Sequence, residues 1–392
     1  MSFLPPLHDW LRGDVAFYEN WGSWLAGHRV PYRDFALEYP PGIVPILEAP
    51  PYLRKLFLYH GFYDFWFRVV ILVIALLALV ASAWSLDRLG ATRRRAYAAL
   101  VLVGLAPALL GPIALSRYDY WPALFAAAAV AALLCGRGVL ACGLLAAGAV
   151  AKVYPIVLLP LALVELWRGR GRRGVAEGLG ATLAVLAAGF APFLVLAPQG
   201  LAWAANRQIA RPLQVESLGS AVFVAAHELA GLRLHVVKSH GSDNIVGRWP
   251  DVVGTASSVL TVLALLYVYR LYVRGRPSPE RLVAACAAAV VAYVGFTKVF
   301  SPQYLVWLVP LVPLVGGRVG LRANALFAVV LGMTQIWEPY RYFEYYTTFT
   351  PWLAWLVIAR DLLVVALLWL LVQSLRSRRH AEELDPVRAA VV

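Results

Sequence analysis

The sequence predicts an all-α fold, a polytopic bundle of transmembrane helices, and three observations predict it. Of 392 residues, 61% are hydrophobic and the mean hydropathy is +0.69, whereas soluble domains are roughly 45–50% apolar. Apolar runs approaching or exceeding about 18 residues recur along the chain, the length a helix needs to cross a bilayer. Leu, Val and Ala fill these runs without period-two alternation, which argues against a membrane β-barrel.

Taken in order, residues 1–65 contain no span. Asp14, Glu19, Asp34 and Glu38 sit among aromatic residues in 13–42, and an amphipathic stretch is predicted over Val15–Leu25. Pro31, Pro40, Pro41, Pro45, Pro50 and Pro51 then forbid a continuous helix, so the segment should lie along the membrane surface as an amphipathic or re-entrant loop. About eleven spans follow, near 66–86, 96–115, 120–135, 139–151, 153–167, 175–197, 252–273, 281–298, 302–316, 321–337 and 353–373. The fourth and fifth could instead form one long broken helix. Between the sixth and seventh, loop 198–250 has helical patterning near 214–230, through Leu218, Val222, Phe223, Ala226 and Leu229, and is expected to cap one surface. The GxxxG spacings at Gly174–Gly178 and Gly316–Gly320 lie at helix starts, where they are weak packing signals. Residues 1–392 thus read as one integral membrane domain: segment 1–65, a bundle over 66–373 with loop 198–250, and a tail over 374–392.

Net charge is +13, and its placement makes it an orientation signal rather than a nucleic-acid footprint. Alternate short loops gather arginines, such as Arg93, Arg94 and Arg95, Arg168 to Arg173, Arg274 and Arg276, and Arg376 to Arg379, with few acids. The intervening segments balance bases with acids. Short basic loops stay cytoplasmic, which places 374–392 inside and both 1–65 and 198–250 outside, in a plasma or inner membrane. Residues 1–65 have no signal peptide, so a helix preceding Met1 is expected.

Cys135, Cys142 and Cys286 fall in or beside apolar runs and read as small core residues, with no disulfide framework. Seven histidines offer no metal spacing; His235 and His240 lack a nearby carboxylate pair, so no metal site is expected.

Polar side chains beside a hydrophobic slab are costly unless they face water or a site. At the predicted outer ends stand Arg117 and Asp119 (SRYDYWP), Lys152 (AKVYP), Lys298 and Gln303 (TKVFSPQYLVW), and Arg341 with Glu338 (WEPYRYFEYY). Two of the four lysines share a pattern, Lys152-Val-Tyr-Pro155 and Lys298-Val-Phe-Ser-Pro302. A lysine is a compact charge suited to a phosphate, or it simply snorkels at a helix end before a proline. Asp34 could instead pair with Arg33 or Arg29, and Glu38 could hold the Tyr-Pro-Pro turn. Tyr18, Trp21, Trp24, Tyr32 and Tyr39 could stack on a sugar or form an interfacial belt. Asp361, beside Arg360 in the last span, marks either a site or a structural pair with an arginine on a neighbouring helix. Taken together, these residues suit a cavity holding an anionic lipid head opposite carboxylates. A sugar on a lipid monophosphate needs one carboxylate base for the acceptor hydroxyl and cations for the departing phosphate, with no divalent metal.

Asp14-Val-Ala-Phe-Tyr18, then Gly27, Pro31-Tyr32-Arg33-Asp34-Phe35 and Glu38-Tyr39-Pro40-Pro41, resemble the first external loop of the GT-C membrane glycosyltransferases. They are most similar to the polyprenol-phosphate-mannose-dependent α-mannosyltransferases of glycosyltransferase family 87 (the DUF2029 group). AKVYPIVLLPL and FSPQYLVWLVPL resemble further segments, and the likeness spans about residues 13–315. It implies an inverting glycosyltransferase with no cofactor beyond a polyprenyl-phosphate sugar donor, most simply mannosyl, and a lipid- or glycan-borne acceptor. It carries the general base over to Asp14. Tyr18, Asp34, Glu38, Tyr39, Arg117, Asp119, Lys152, Lys298, Gln303 and Arg341 are the expected substrate-binding residues. The chain departs from the family in lacking a helix ahead of this loop. A transporter or flippase of a lipid-linked sugar is the alternative; it should show pseudo-symmetric halves, and it has no use for a long carboxylate-bearing loop.

Overall fold

The structure is a computed structural model that describes residues 14–57 and 62–383, with side chains described through 376 at the C-terminal end. The expectations placed on residues 1–13 and on the tail beyond 383 lie outside the described residues.

Helix α1 (Val15–Ala26) and helix α2 (Val44–Leu56) form the first segment, joined by the proline-rich chain and a 3-10 turn at Pro41–Ile43. With the turn between them they bury Tyr18, Ile43 and Leu47 in the protein core, so the segment is seated on the bundle. Glycine permits this seat. A Cβ on Gly42 would lie 2.7 Å from the backbone of Val150 and Ala151, a backbone approach that no other residue allows.

The bundle follows as α3 (Tyr63–Arg88), α4 (Arg93–Leu110), a short α5 (Ile113–Ser116), α6 (Tyr120–Leu134), α7 (Gly138–Ala151) and α8 (Leu159–Leu196). After loop 198–250 come α11 (Arg248–Arg274), α12 (Pro279–Phe296), α13 (Gly317–Trp337), the short α14 (Tyr342–Thr348) and α15 (Pro351–Glu383). Among the described residues, six helical runs are long and apolar enough to cross a membrane: Tyr63–Arg88, Tyr154–Leu196, Arg248–Arg274, Pro279–Phe296, Gly317–Trp337 and Pro351–Arg376. The apolar segments Tyr120–Leu134, Gly138–Ala151 and Pro302–Leu314 are shorter than a bilayer is thick. Eleven crossings were expected; the lengths support six.

The fourth and fifth expected spans are separate, because Lys152 is extended between α7 and a 3-10 turn at Tyr154–Leu158. The run to Leu196 is itself two helices. Gly171 breaks it at φ 58°, ψ −146°, a conformation for glycine only. The chain then doubles back, so that a Cβ on Gly178 would meet Leu166, Cys142 and Leu163.

Helix α12 is the axis. Its LVAACAAAVVA run is small on every face and is buried throughout, since alanine lets neighbouring backbones come close without lost packing. Cys142 and Cys286 are buried free thiols, as expected, and Cys135 is half-buried. Residues 302–314 run as tight 3-10 turns instead of the expected helix. Pro302, Pro310 and Pro313 remove the amides an α-helix would use, and the segment is buried beside α12.

At one end of the bundle, arginines cap helix carbonyls. Arg281 donates to Leu271 O at 2.8 Å and to Leu375 O at 2.5 Å, Arg95 to Leu314 O at 2.7 Å, and Arg168 to Val273 O at 3.2 Å. The opposite end carries the elaborated segments. Loop 198–250 holds α9 (Pro198–Ile209), α10 (Leu218–Ala230) and a three-stranded antiparallel sheet of β1 (Leu213–Gln214), β2 (Val236–Ser239) and β3 (Ser242–Ile245), in the order β1-β3-β2. The sequence reading placed α10 but not the sheet. Its hairpin turns on His240 and Gly241, both at positive φ, the geometry of a type I′ turn that usually announces itself as Asn-Gly.

Candidate functional site

A cavity of about 1180 Å³ opens at this elaborated end. It is walled by the first segment, the ends of α5 and α7, the sheet, and the start and finish of the Lys298–Tyr346 half. Asp14, Tyr18, Glu38, Tyr39, Arg117, Lys152, Lys298 and Gln303 all line it. Asp119 sits just behind Lys152. Asp34 and Arg341 do not reach the cavity: Asp34 is held by Arg33 at 2.9 Å and by the Val30 amide at 2.7 Å, and Arg341 pairs with Glu344 at 3.2 Å. Those partners are near in sequence, and the Asp34 carboxyl is lowered to about 2 by Arg33 and then the Val30 amide.

Asp14 opens α1, yet its carboxylate makes no capping bond; it is ion-paired with Arg117. Arg117 is extended where α5 gives way to α6, which turns its guanidinium across to α1. Burial depresses its pKa, opposed by Glu338, Asp119 and Glu216.

Lys152 is held by aromatic rings and a buried acid. Its Nζ donates to Asp119 Oδ1 at 2.7 Å and lies 4.9–5.2 Å from the rings of Tyr118, Tyr304 and Trp307, within cation–π range. Trp307 Nε1 donates to the same Asp119 oxygen at 2.7 Å and stacks between Tyr154 and Tyr304 at 4.0 Å from each. Lys152 is thereby neutralised in place.

Lys298 is different. Its ammonium donates to Ile209 O at 3.0 Å, and Arg211 donates to His240 O at 2.8 Å and 3.1 Å. Both bind backbone carbonyls, and among the described residues neither contacts a carboxylate in an ion pair. Burial and then Arg211 lower the Lys298 pKa, opposed by Asp251. Two like charges side by side attract an anion.

Glu38 ties the first segment to α9, through Arg207 at 2.7 Å and a bond from Gln208 to its carbonyl at 2.8 Å. Tyr18, Tyr39 and Tyr118 form an aromatic wall, with Tyr39 and Tyr118 centroids 5.2 Å apart and Tyr18 and Tyr39 6.3 Å apart. Burial pushes the Tyr39 phenol up to about 12, so it stays neutral.

Of the acidic floor, the sequence reading named only Glu338. Glu216, Asp243 and Gln214 come from the sheet region, and Glu338 from the end of α13. Tyr342 Oη donates to Asp243 at 2.9 Å, and the Gln214 amide donates to Glu216. Burial raises the Glu338 carboxyl to about 7 against the pull of Arg117 and Arg360; burial, then Glu338, holds Glu216 well above the usual range. Arg360 lies beneath, 3.1 Å from Asp361 and bonded to Glu216 O at 3.1 Å, with its guanidinium over Phe300. The intramembrane acid thus pairs with its own neighbour, not with another helix. Glu338 was visible in WEPYRY, whereas nothing in RPLQVES marked Gln214 or Glu216.

The cavity is therefore bipolar. Lys298 and Arg211, without an ion pair among the described residues, stand with the Arg207–Glu38 pair on one side, and Glu216, Glu338 and Asp243 with Arg117 on the other. No protein-family model matches the chain, and no curated protein matches it in sequence.

Proposed function

We propose that the protein is a membrane glycosyltransferase that moves a sugar, most simply mannose, from a polyprenyl-phosphate donor to a hydroxyl on a lipid or glycan. One observation carries this reading: Arg211 and Lys298, which make no ion pair among the described residues, and the carboxylate of Asp14 line one large cavity, at the end of the bundle opposite the arginine caps. A lipid-linked phosphosugar presents an anion and a polyol together, and the cavity offers a receptor for each.

The chemistry is a single displacement. The acceptor hydroxyl gives its proton to Asp14 as its oxygen bonds to the sugar C1. The C1–O bond to phosphate breaks, and the electron pair leaves on the polyprenyl phosphate, which Lys298 and Arg211 stabilise. One base and one departure from the opposite face invert the anomeric centre. Arg117 holds Asp14 in position; Lys152 orders the wall through Asp119 and Trp307. The positive-inside pattern favours an outer-face cavity, with the C-terminus in the cytoplasm.

The test is an assay of the purified protein in nanodiscs with polyprenyl-phosphate sugars and a hydroxyl acceptor, followed by linkage analysis. An inverted glycosidic product is expected. Movement of the intact donor lipid between leaflets without a product would instead support a flippase.

A further inference from the structure

We propose that Glu216, Glu338 and Gln214 form a subsite for a neutral polyhydroxylated group, the glycosyl part of the ligand whose phosphate meets Arg211 and Lys298. This rests on the donor assignment above and adds the residues that would select the sugar.

The side chains are built into the floor. Glu216 is 2% exposed, Gln214 3% and Glu338 8%, and all three line the cavity. Two buried carboxyls side by side are costly unless their surroundings compensate. Here Gln214 donates to Glu216, Arg360 donates to the Glu216 carbonyl, and Arg117 faces Glu338. After these bonds, Glu338 Oε2 and Gln214 Oε1 remain buried without a hydrogen-bond partner.

Those leftover atoms define the ligand. Gln214 Oε1 accepts, and a Glu338 carboxyl that holds its proton can donate as well as accept, so the group that completes them must bring hydroxyls, which do both. A phosphate brings acceptors and no donors for Gln214 Oε1, and its charge finds no free cation among these acidic side chains. An alkyl chain would leave both oxygens unsatisfied. A cation would meet Arg117 and Arg360, and among the described residues no three acidic, His or Cys side chains converge to hold a metal. A sugar supplies several hydroxyl donors at once. The rings of Tyr342 and Phe343, on the same wall, can cover its C–H face.

The test uses the full chain in nanodiscs with three probes: undecaprenyl phosphate, mannosyl-phosphoundecaprenol and soluble methyl α-mannoside. The wild type should bind the mannosyl lipid about tenfold or more tighter than the bare lipid phosphate, since a hydroxyl bonded to a buried carboxyl is worth that much. Glu338→Ala and Gln214→Ala should erase this preference and leave bare-lipid affinity within about twofold. Glu338→Gln, which keeps volume and an acceptor, guards against a folding defect and should keep part of the preference. Lys298→Ala should weaken both lipids alike. Thermal stabilisation by methyl α-mannoside, lost in Glu338→Ala, reports on the floor without any phosphate. If the sugar adds no affinity to the lipid and methyl mannoside acts equally on wild type and variants, the subsite is overturned, whether or not the lipid phosphate binds. If methyl mannoside binding depends on Glu338 while neither lipid binds, the subsite stands and the donor assignment fails.

Discussion

Asp14 leaves the free amides of α1 unbonded and sends its carboxylate to Arg117. An asparagine would serve a cap about as well as aspartate, but the carboxylate here is not a cap. Asp14→Asn should therefore lower turnover by about 10²-fold or more while donor affinity stays near wild type; near-normal turnover would remove it as base. Its nearest replacement is then Glu338, since Asp34 faces away and Glu38 is tied to Arg207. The two lysines should also separate. Lys152→Ala strands the buried Asp119 and should cost about 3–5 kcal/mol of stability, read by chemical denaturation. Lys298→Ala leaves no buried acid unpaired, so it should preserve stability and weaken binding of undecaprenyl phosphate. Glu338 makes stability depend on pH. Its carboxyl is raised to about 7 in the fold, so the native state keeps a proton that the unfolded chain releases. That contribution is complete below the unfolded value and is lost as pH rises through about 7. Glu338→Gln should flatten the decline in melting temperature between about pH 5 and about pH 8.

At the scale of elements, hydropathy and proline made most of the fold legible. Apolar runs located the helices because burial in lipid needs length and little else. Periodicity located α10, and Lys152-Val-Tyr-Pro marked a true break. Two features stayed hidden. Residues 302–314 are as apolar as a helix, and only their prolines hinted at 3-10 turns. The sheet strands are two to four residues long, too short to show alternation, and His-Gly is an uncommon way to write their turn. Gln214 and Glu216 were illegible for the same reason, because the sheet region that aims them was not foreseen. Gly42 shows how one element positions another. Gly42→Val would push the proline turn off α7 and carry Tyr39 and Glu38 with it. It should cost about 1–3 kcal/mol and expose the first segment to limited proteolysis; resistance equal to wild type would mean that the segment is held elsewhere.

For the whole molecule, orientation is the decisive property. Residue 93 starts α4 at the arginine-capped end, and residue 240 lies in the hairpin at the cavity end. With the native cysteines replaced, a membrane-impermeant maleimide should label Cys introduced at 240, and not at 93, in intact cells. The reverse pattern would put the cavity in the cytoplasm and end the case for a lipid-phosphate donor used outside. The long reach of the cavity's bonds also sets an order during synthesis. Asp119 and Lys152 are 33 residues apart, so the ribosome supplies the lysine soon after the acid, and that charge can be quenched while the second half is still being made. The floor is completed later, although Gln214 and Arg117 are already made. Glu216 waits 144 residues for Arg360, which arrives only with the last helix. A nascent chain stopped before α15 would thus own the aromatic wall and the lysine nest, but its acidic floor would lack Arg360. The cavity is finished only when α15 emerges.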